Sequence, residues 1–150
     1  MRHLKETLYQ QCLDYVQQRM DAAELGIKEA QQASKDDTKS SAGDKYETGR
    51  EMAQQETNRN MAQLTEANKL KIALNSITTQ PTIKLVETGS VVITNNGNFY
   101  IAISAGTLTV NDKAYFAISP ASPIGFKMKG LKIGDIFELN GTTYKIDSIL

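Results

Sequence analysis

The stretch YQQCLDYVQQRMDAAELGIKEAQQAS, residues 9–34, decides the fold of the N-terminal half. Tyr9, Leu13, Val16, Met20, Ala23, Ile27, Ala30 and Ser34 follow one another at intervals of 4, 3, 4, 3, 4, 3 and 4, the a/d seam of a coiled coil sustained for more than three heptads. The residues between them are mostly Gln, Glu, Lys, Arg and Asp, so the spacing predicts one long helix with a single apolar stripe. Gly26 is its weak point, at a cost of roughly 1 kcal/mol relative to Ala. Cys12 falls beside the seam, where a small buried hydrophobe is the usual meaning of a lone cysteine.

Downstream, the periodicity stops at SKDDTKSSAGD, residues 34–44, a loop by composition. It resumes after Gly43. Asn60, Leu64, Ala67, Lys71 and Leu74 repeat the 4, 3, 4, 3 spacing, Lys71 lending its stem, while Leu70 and Ile77 broaden the apolar face. Nearer the loop the second stripe is thin, offering Gly49, Met52, Ala53 and Thr57. Because one amphipathic helix cannot bury its own stripe, the two are expected to fold back as an antiparallel hairpin, each arm about 30 residues and roughly 45 Å long. Pairing of the same seam between chains, as a coiled-coil oligomer, is the alternative, and the short polar loop favours a monomer.

Beyond Ile77 the chain changes character. All ten glutamines lie before residue 81, while seven of the ten glycines and all three prolines lie from 81 onward. Charge divides evenly across this break, so the break is structural and not electrostatic. Residues 78–82, TTQPT, are the expected linker, since Pro81 disfavours helix at the residue before it. The second half reads as short strands at 91–94, 99–104, 107–110, 114–119, 135–139 and 144–149, with turns at Asn95-Asn96-Gly97, Asn111-Asp112 and Asn140-Gly141. In SPIGFKMKGL, Pro123 opens and Gly130 closes a short helix. The expected fold is α+β: a helical coiled-coil hairpin over 1–79 with an acidic tip near 35–48, then a small antiparallel sheet domain with one helix over 80–150.

Composition removes several functions. Seventeen basic and seventeen acidic residues leave no net charge, hence no general field for nucleic acid or an anionic membrane. One Cys and one His provide neither a disulfide nor a Cys/His zinc set, which fits a reducing, cytoplasmic setting. No apolar run reaches the length of a membrane span, and MRHLKETLYQ lacks the apolar core of a signal peptide. A thiol acyltransferase built on Cys12 and His3 lacks a third group to orient the imidazole.

Gly43-Asp44-Lys45-Tyr46-Glu47 at the apex of a helical hairpin, followed by a sheet domain carrying Ile118, Ser119, Ser122, Pro123, Ile124, Gly130 and Asp135, resembles the bacterial Gre transcript cleavage factors. The family's tip motif reads GD, two residues, then E. Its later motif, IS, two residues, SPI, then a glycine followed by GD, is matched by AISPASPIGFKMKGLKIGD. The resemblance spans nearly the whole chain. It implies a coiled coil that enters the secondary channel of RNA polymerase, an FKBP-like C-terminal domain that docks at the channel rim, and chemistry in the polymerase active site, so that the protein is no enzyme alone.

Two-metal hydrolysis of a phosphodiester needs a second magnesium near the first, held by one or two carboxylates with water and phosphate oxygens. Asp44 and Glu47, three residues apart at a helix start, are the candidate ligands. Asp44 would be the main ligand, and Glu47 would help hold the ion or orient the attacking water. The magnesium is shared with the polymerase and is not expected on the isolated protein. Lys39, Lys45 and Arg50, with Lys35, are candidate contacts to the phosphates of the nascent RNA 3′ end. The ordinary meaning of the two acids is a capping box, with Asp44 at the N-cap and Glu47 at N3, and that of the basic residues is a solvated surface. Thr48 replaces the Asn usual in such factors, which leaves a channel-occluding regulator without cleavage as the alternative. A prolyl isomerase or chaperone module comes after that, because Phe99, Tyr100, Tyr115, Phe116, Phe126, Phe137 and Tyr144 are interspersed in strand patterns as core residues are.

Overall fold

A computed structural model describes residues 2–37, 43–77 and 85–150, with side chains described over 3–33, 49–77 and 85–150. The expected linker at 78–82 and the centre of the expected tip loop, with Lys39, lie outside the described residues. Helix α1 runs Arg2–Asp37 and α2 runs Gly43–Asn75, so both helices reach further into the 34–44 segment than its composition foretold. Rising numbers on α1 meet falling numbers on α2: the Tyr9 hydroxyl donates to Leu74 O at 3.1 Å, and Gly26 lies against Asn60.

The chain divides into two compact units, one of residues 16–71 and one of residues 1–15 with 72–150. In the first, Val16, Ala23 and Ala30 of α1 and Ala53, Thr57 and Ala67 of α2 are buried, on the expected heptad positions. Lys71 is exposed, and Leu70 takes the half-buried place that its stem was expected to fill. Gly26 is explained by proximity, because a Cβ there would sit 2.6 Å from Asn60 Cγ.

In the second unit the seam departs from its expected line. Leu4, Lys5, Leu8 and Cys12 are buried on α1, while Tyr9 and Leu13 are only half-buried. The reason is a second neighbour: this end of α1 also meets sheet elements, as the bond from Gln11 Nε2 to Thr109 O at 3.0 Å records. A face that serves two partners is wider than an a/d stripe.

The sheet comprises β1 (Val91–Thr94), β2 (Gly97–Ile101), β3 (Gly106–Val110), β4 (Lys113–Ile118), β5 (Ile136–Leu139) and β6 (Thr142–Ile149), in the order β3-β4-β2-β1-β6-β5. It is mixed, and the expectation of a wholly antiparallel sheet is corrected: β2 and β4 pair in parallel, Phe99 opposite Phe116 and Ile101 opposite Ile118. After Ala102, whose N–H still bonds Ile118 O, the chain swings outward through the buried Ile103 and Ala105. β3 therefore becomes an edge, and its tight hairpin returns β4 into the gap beside β2. Asn111 and Asp112, both at positive φ (53° and 64°), and Asn140 with Gly141 (52° and 81°) make the two-residue turns that their identities foretold. Helix α3 (Pro123–Met128) starts at Pro123. The core joins Val86, Val92, Phe99, Ile101, Met128, Phe137 and Ile146.

Both sheet edges are blunted by a side chain. Tight hairpins make Val110–Lys113 and Leu139–Thr142 the closing pairs, so Thr109 and Glu138, one step inward, turn their carbonyls away from the partner strand. Gln11 donates to Thr109 O on β3 and Lys127 Nζ to Glu138 O at 2.6 Å on β5, which occupies acceptors that a foreign strand would otherwise find.

Candidate functional site: the α2 start and the Ser119–Asp135 framework

Gly43 is the first residue of α2, which puts Asp44 and Glu47 in its opening turns, three residues apart. That spacing lies along one side of a helix, at the end where the backbone dipole favours negative charge. The side chains of Asp44, Lys45 and Glu47 lie outside the described residues, as does Lys39, whereas Arg50 is described and exposed. Among the described residues no group of three or more His, Cys, Asp or Glu side chains gathers to hold a metal. Two carboxylates are in any case an incomplete set for octahedral magnesium, and they fit an ion whose remaining ligands come from elsewhere.

The second motif resolves into backbone scaffolding. Ser122 Oγ accepts from Gly125 N at 3.1 Å, capping α3, and donates to Ser119 O at 2.6 Å. Ser119 Oγ accepts from Ala121 N at 2.9 Å. Gly125 is sterically required: a Cβ there would strike Ser119 O and come within 2.9 Å of Ser122 Oγ. Gly130, at φ +83°, ends the helix in the left-handed conformation and donates to Val86 O at 2.8 Å. Asp135 Oδ2 accepts from Lys132 N at 3.0 Å, while its own N–H returns to Lys132 O. Ser119, Ser122, Pro123, Gly125, Gly130 and Asp135 thus hold one loop–helix–turn unit in place.

Other candidates resolve differently. Cys12 is fully buried, and burial pushes its thiol up to about 12, the opposite of an activated nucleophile. His3 is exposed beside Glu6, at 3.5 Å, and lies nine residues away along α1, about 13 Å of helix rise. The aromatic residues pack on one another, Phe137 stacked on Tyr144 at 4.9 Å and Phe99 edge-on to Tyr144 at 5.9 Å, which takes up the rings that a prolyl-peptide pocket would need. Phe126, at 73% exposure, and Phe116, at 41%, are exceptions to the core expectation. They share the sheet unit with the exposed Ile133 and Ile136. Periodicity missed Phe126 because α3 is too short to have a readable face.

No protein-family model matches this chain, and no curated protein and no solved structure matches it either. Among the described residues no helix is long and apolar enough to cross a membrane.

Proposed function

We propose that the chain is a Gre-type elongation factor, which binds the secondary channel of RNA polymerase and stimulates cleavage of backtracked transcripts in the polymerase active site. One observation carries the reading: Gly43-Asp44-x-x-Glu47 opens the second helix of a helical pair, upstream of a sheet unit whose Ser119–Asp135 run follows the family's second motif. A polar helical pair supplies reach into a narrow channel. The sheet unit, read as FKBP-like, supplies the docking body. Asp44 and Glu47 bring the carboxylates for a second magnesium, which the polymerase helps to hold, and Lys39, Lys45 and Arg50 meet RNA phosphate. Magnesium in that position polarises the scissile phosphate and lowers the pKa of the attacking water.

Thr48, in place of the family's Asn, favours a second reading in which the same rod occupies the channel and blocks it without promoting hydrolysis. Release of 3′-end-labelled RNA from stalled, backtracked complexes of the cognate polymerase separates the two. Cleavage by the wild type, lost in Asp44→Ala and Glu47→Ala while binding persists, is the expected result. Tight binding without cleavage by the wild type would leave the occluding regulator.

A further inference from the structure

Three observations concern the seating of the first turns of α1 on the sheet, all within the unit of residues 1–15 and 72–150. The first is apolar anchoring: Leu4, Leu8 and Cys12 are buried along one line of the helix. Across from them a neutral side-chain bond, Gln11 to Thr109 O, reaches the β3 edge.

The second is a polar penalty under that line. Tyr100 of β2 is fully buried, and its hydroxyl has no hydrogen-bond partner among the described residues. Cys12 and Tyr9 are the titratable groups that act on it, and Tyr9 directs its own hydroxyl to Leu74 O instead. Lys5 is only 5% exposed, and its ammonium is placed near Glu87. A buried hydroxyl with no partner among the described side chains and backbone weighs against the closed arrangement.

The third is incomplete packing. A groove of about 450 Å³ opens between Leu4 and Thr7 of α1 and Val110, Lys113 and Tyr115 of the β3–β4 hairpin. Contact is therefore interrupted at the outer end of the helix, where a detaching segment would begin to lift.

We propose that residues 2–15 of α1 form a strap that opens from the sheet while the rest of the fold stays intact, baring Cys12 and the Tyr100 face beneath it. Opening returns water to the Tyr100 hydroxyl, which offsets part of the apolar surface exposed, so it costs less than global unfolding. It also releases Thr109 O, and with it the β3 edge that Gln11 covers. The inference is independent of any polymerase partner.

Cys12 is the single cysteine, so labelling the full-length chain with an aromatic disulfide reagent reads opening at one site. Rates are followed through a urea series from zero to beyond the unfolding midpoint. Expected is a plateau at low urea, where labelling hardly responds to denaturant, followed by a steep limb that coincides with global unfolding. Tyr100→Phe, which removes the unpartnered hydroxyl, should slow the plateau about tenfold. Met61→Ala, at an exposed position in the other unit, should leave the plateau unchanged. A steep dependence that extends to zero urea would show that Cys12 is reached only by global unfolding and would overturn the strap. So would a plateau unmoved by Tyr100→Phe, because the hydroxyl would then be hydrated in the closed state.

Discussion

Gly26 of α1 lies against the Asn60 carboxamide of α2 so closely that a Cβ on residue 26 would fall 2.6 Å from Asn60 Cγ and 2.8 Å from Nδ2. Swinging the Asn60 carboxamide aside would give up the bond its Nδ2 donates to Glu56 O at 2.9 Å, one turn back. A glycine that costs helix stability in isolation is thereby the residue that permits close approach of the two helices. Gly26→Ala sets a helix-propensity gain of about 1 kcal/mol against an overpacking cost of about 1–3 kcal/mol, and a net loss is expected. In an Asn60→Ala background the same substitution should become stabilising by about 1 kcal/mol. Urea unfolding of the four proteins in the cycle measures this, and absence of the sign reversal would disprove the close contact.

The Ser119–Asp135 framework makes a sharper structural prediction. Gly125→Ala drives a methyl into Ser119 O, a backbone atom that cannot rotate away, and should cost about 2–3 kcal/mol. Ser122→Ala removes the cap on Gly125 N and should cost about 1 kcal/mol. Thermal unfolding ranks the two. If Gly125→Ala were the milder change, the loop before α3 would have to be softer than its bonds to Ser119 and Ser122 indicate.

How much of this was legible beforehand depended on how local the determining physics is. Asn111-Asp112 and Asn140-Gly141 fix their hairpins through a two-residue preference for positive φ, and the start and stop of α3 follow from Ser122-Pro123 and Gly130. The parallel pairing of Phe99 with Phe116 could not be read in this way. It is set where the chain leaves β2 after Ala102, and no residue there announces which strand will fill the gap. Likewise Leu4, Leu8 and Cys12 gave way to Tyr9 and Leu13 in the heptad count, because a heptad assumes one partner and this end of α1 has two. The acidic pair at 44 and 47 was legible as candidate ligands at a helix start, and the structure gives only that position, because their side chains lie outside the described residues.

Alkaline pH should expose the burial of Cys12. Its thiol is raised from 9.0 in the unfolded chain to about 12 in the fold, so between those values the unfolded state binds fewer protons and stability falls as pH rises. The slope is on the order of 1.4 kcal/mol per pH unit. Tyr100, also raised by burial, adds a loss of the same sign above pH 10. Lys5 opposes both: desolvation lowers it below 10.5, so stability is regained as pH rises through that range. Cys12→Ala should flatten the decline between pH 9 and 10, where the thiol acts before the phenol. Urea midpoints at pH 8, 9 and 10 give the comparison, and equal slopes in the two proteins would mean that the thiol ionises as freely in the fold as outside it.

Magnesium should matter to the proposed reaction and hardly at all to the isolated chain. Asp44 and Glu47 at the start of α2 offer two carboxylates to an ion that prefers six oxygens, so most of its shell would remain water. For a dissociation constant of about 10 mM, an equal concentration of the ion stabilises the fold by only about 0.4 kcal/mol. Chelation should therefore leave the melting temperature within about 1 °C of its starting value. In backtracked polymerase complexes, by contrast, Asp44→Ala should raise the magnesium concentration needed for half-maximal RNA cleavage, and Asp44→Asn should behave like Ala, because the amide has the shape but not the charge. Full activity with Asn would assign Asp44 a hydrogen-bonding role and would exclude it as the main ligand.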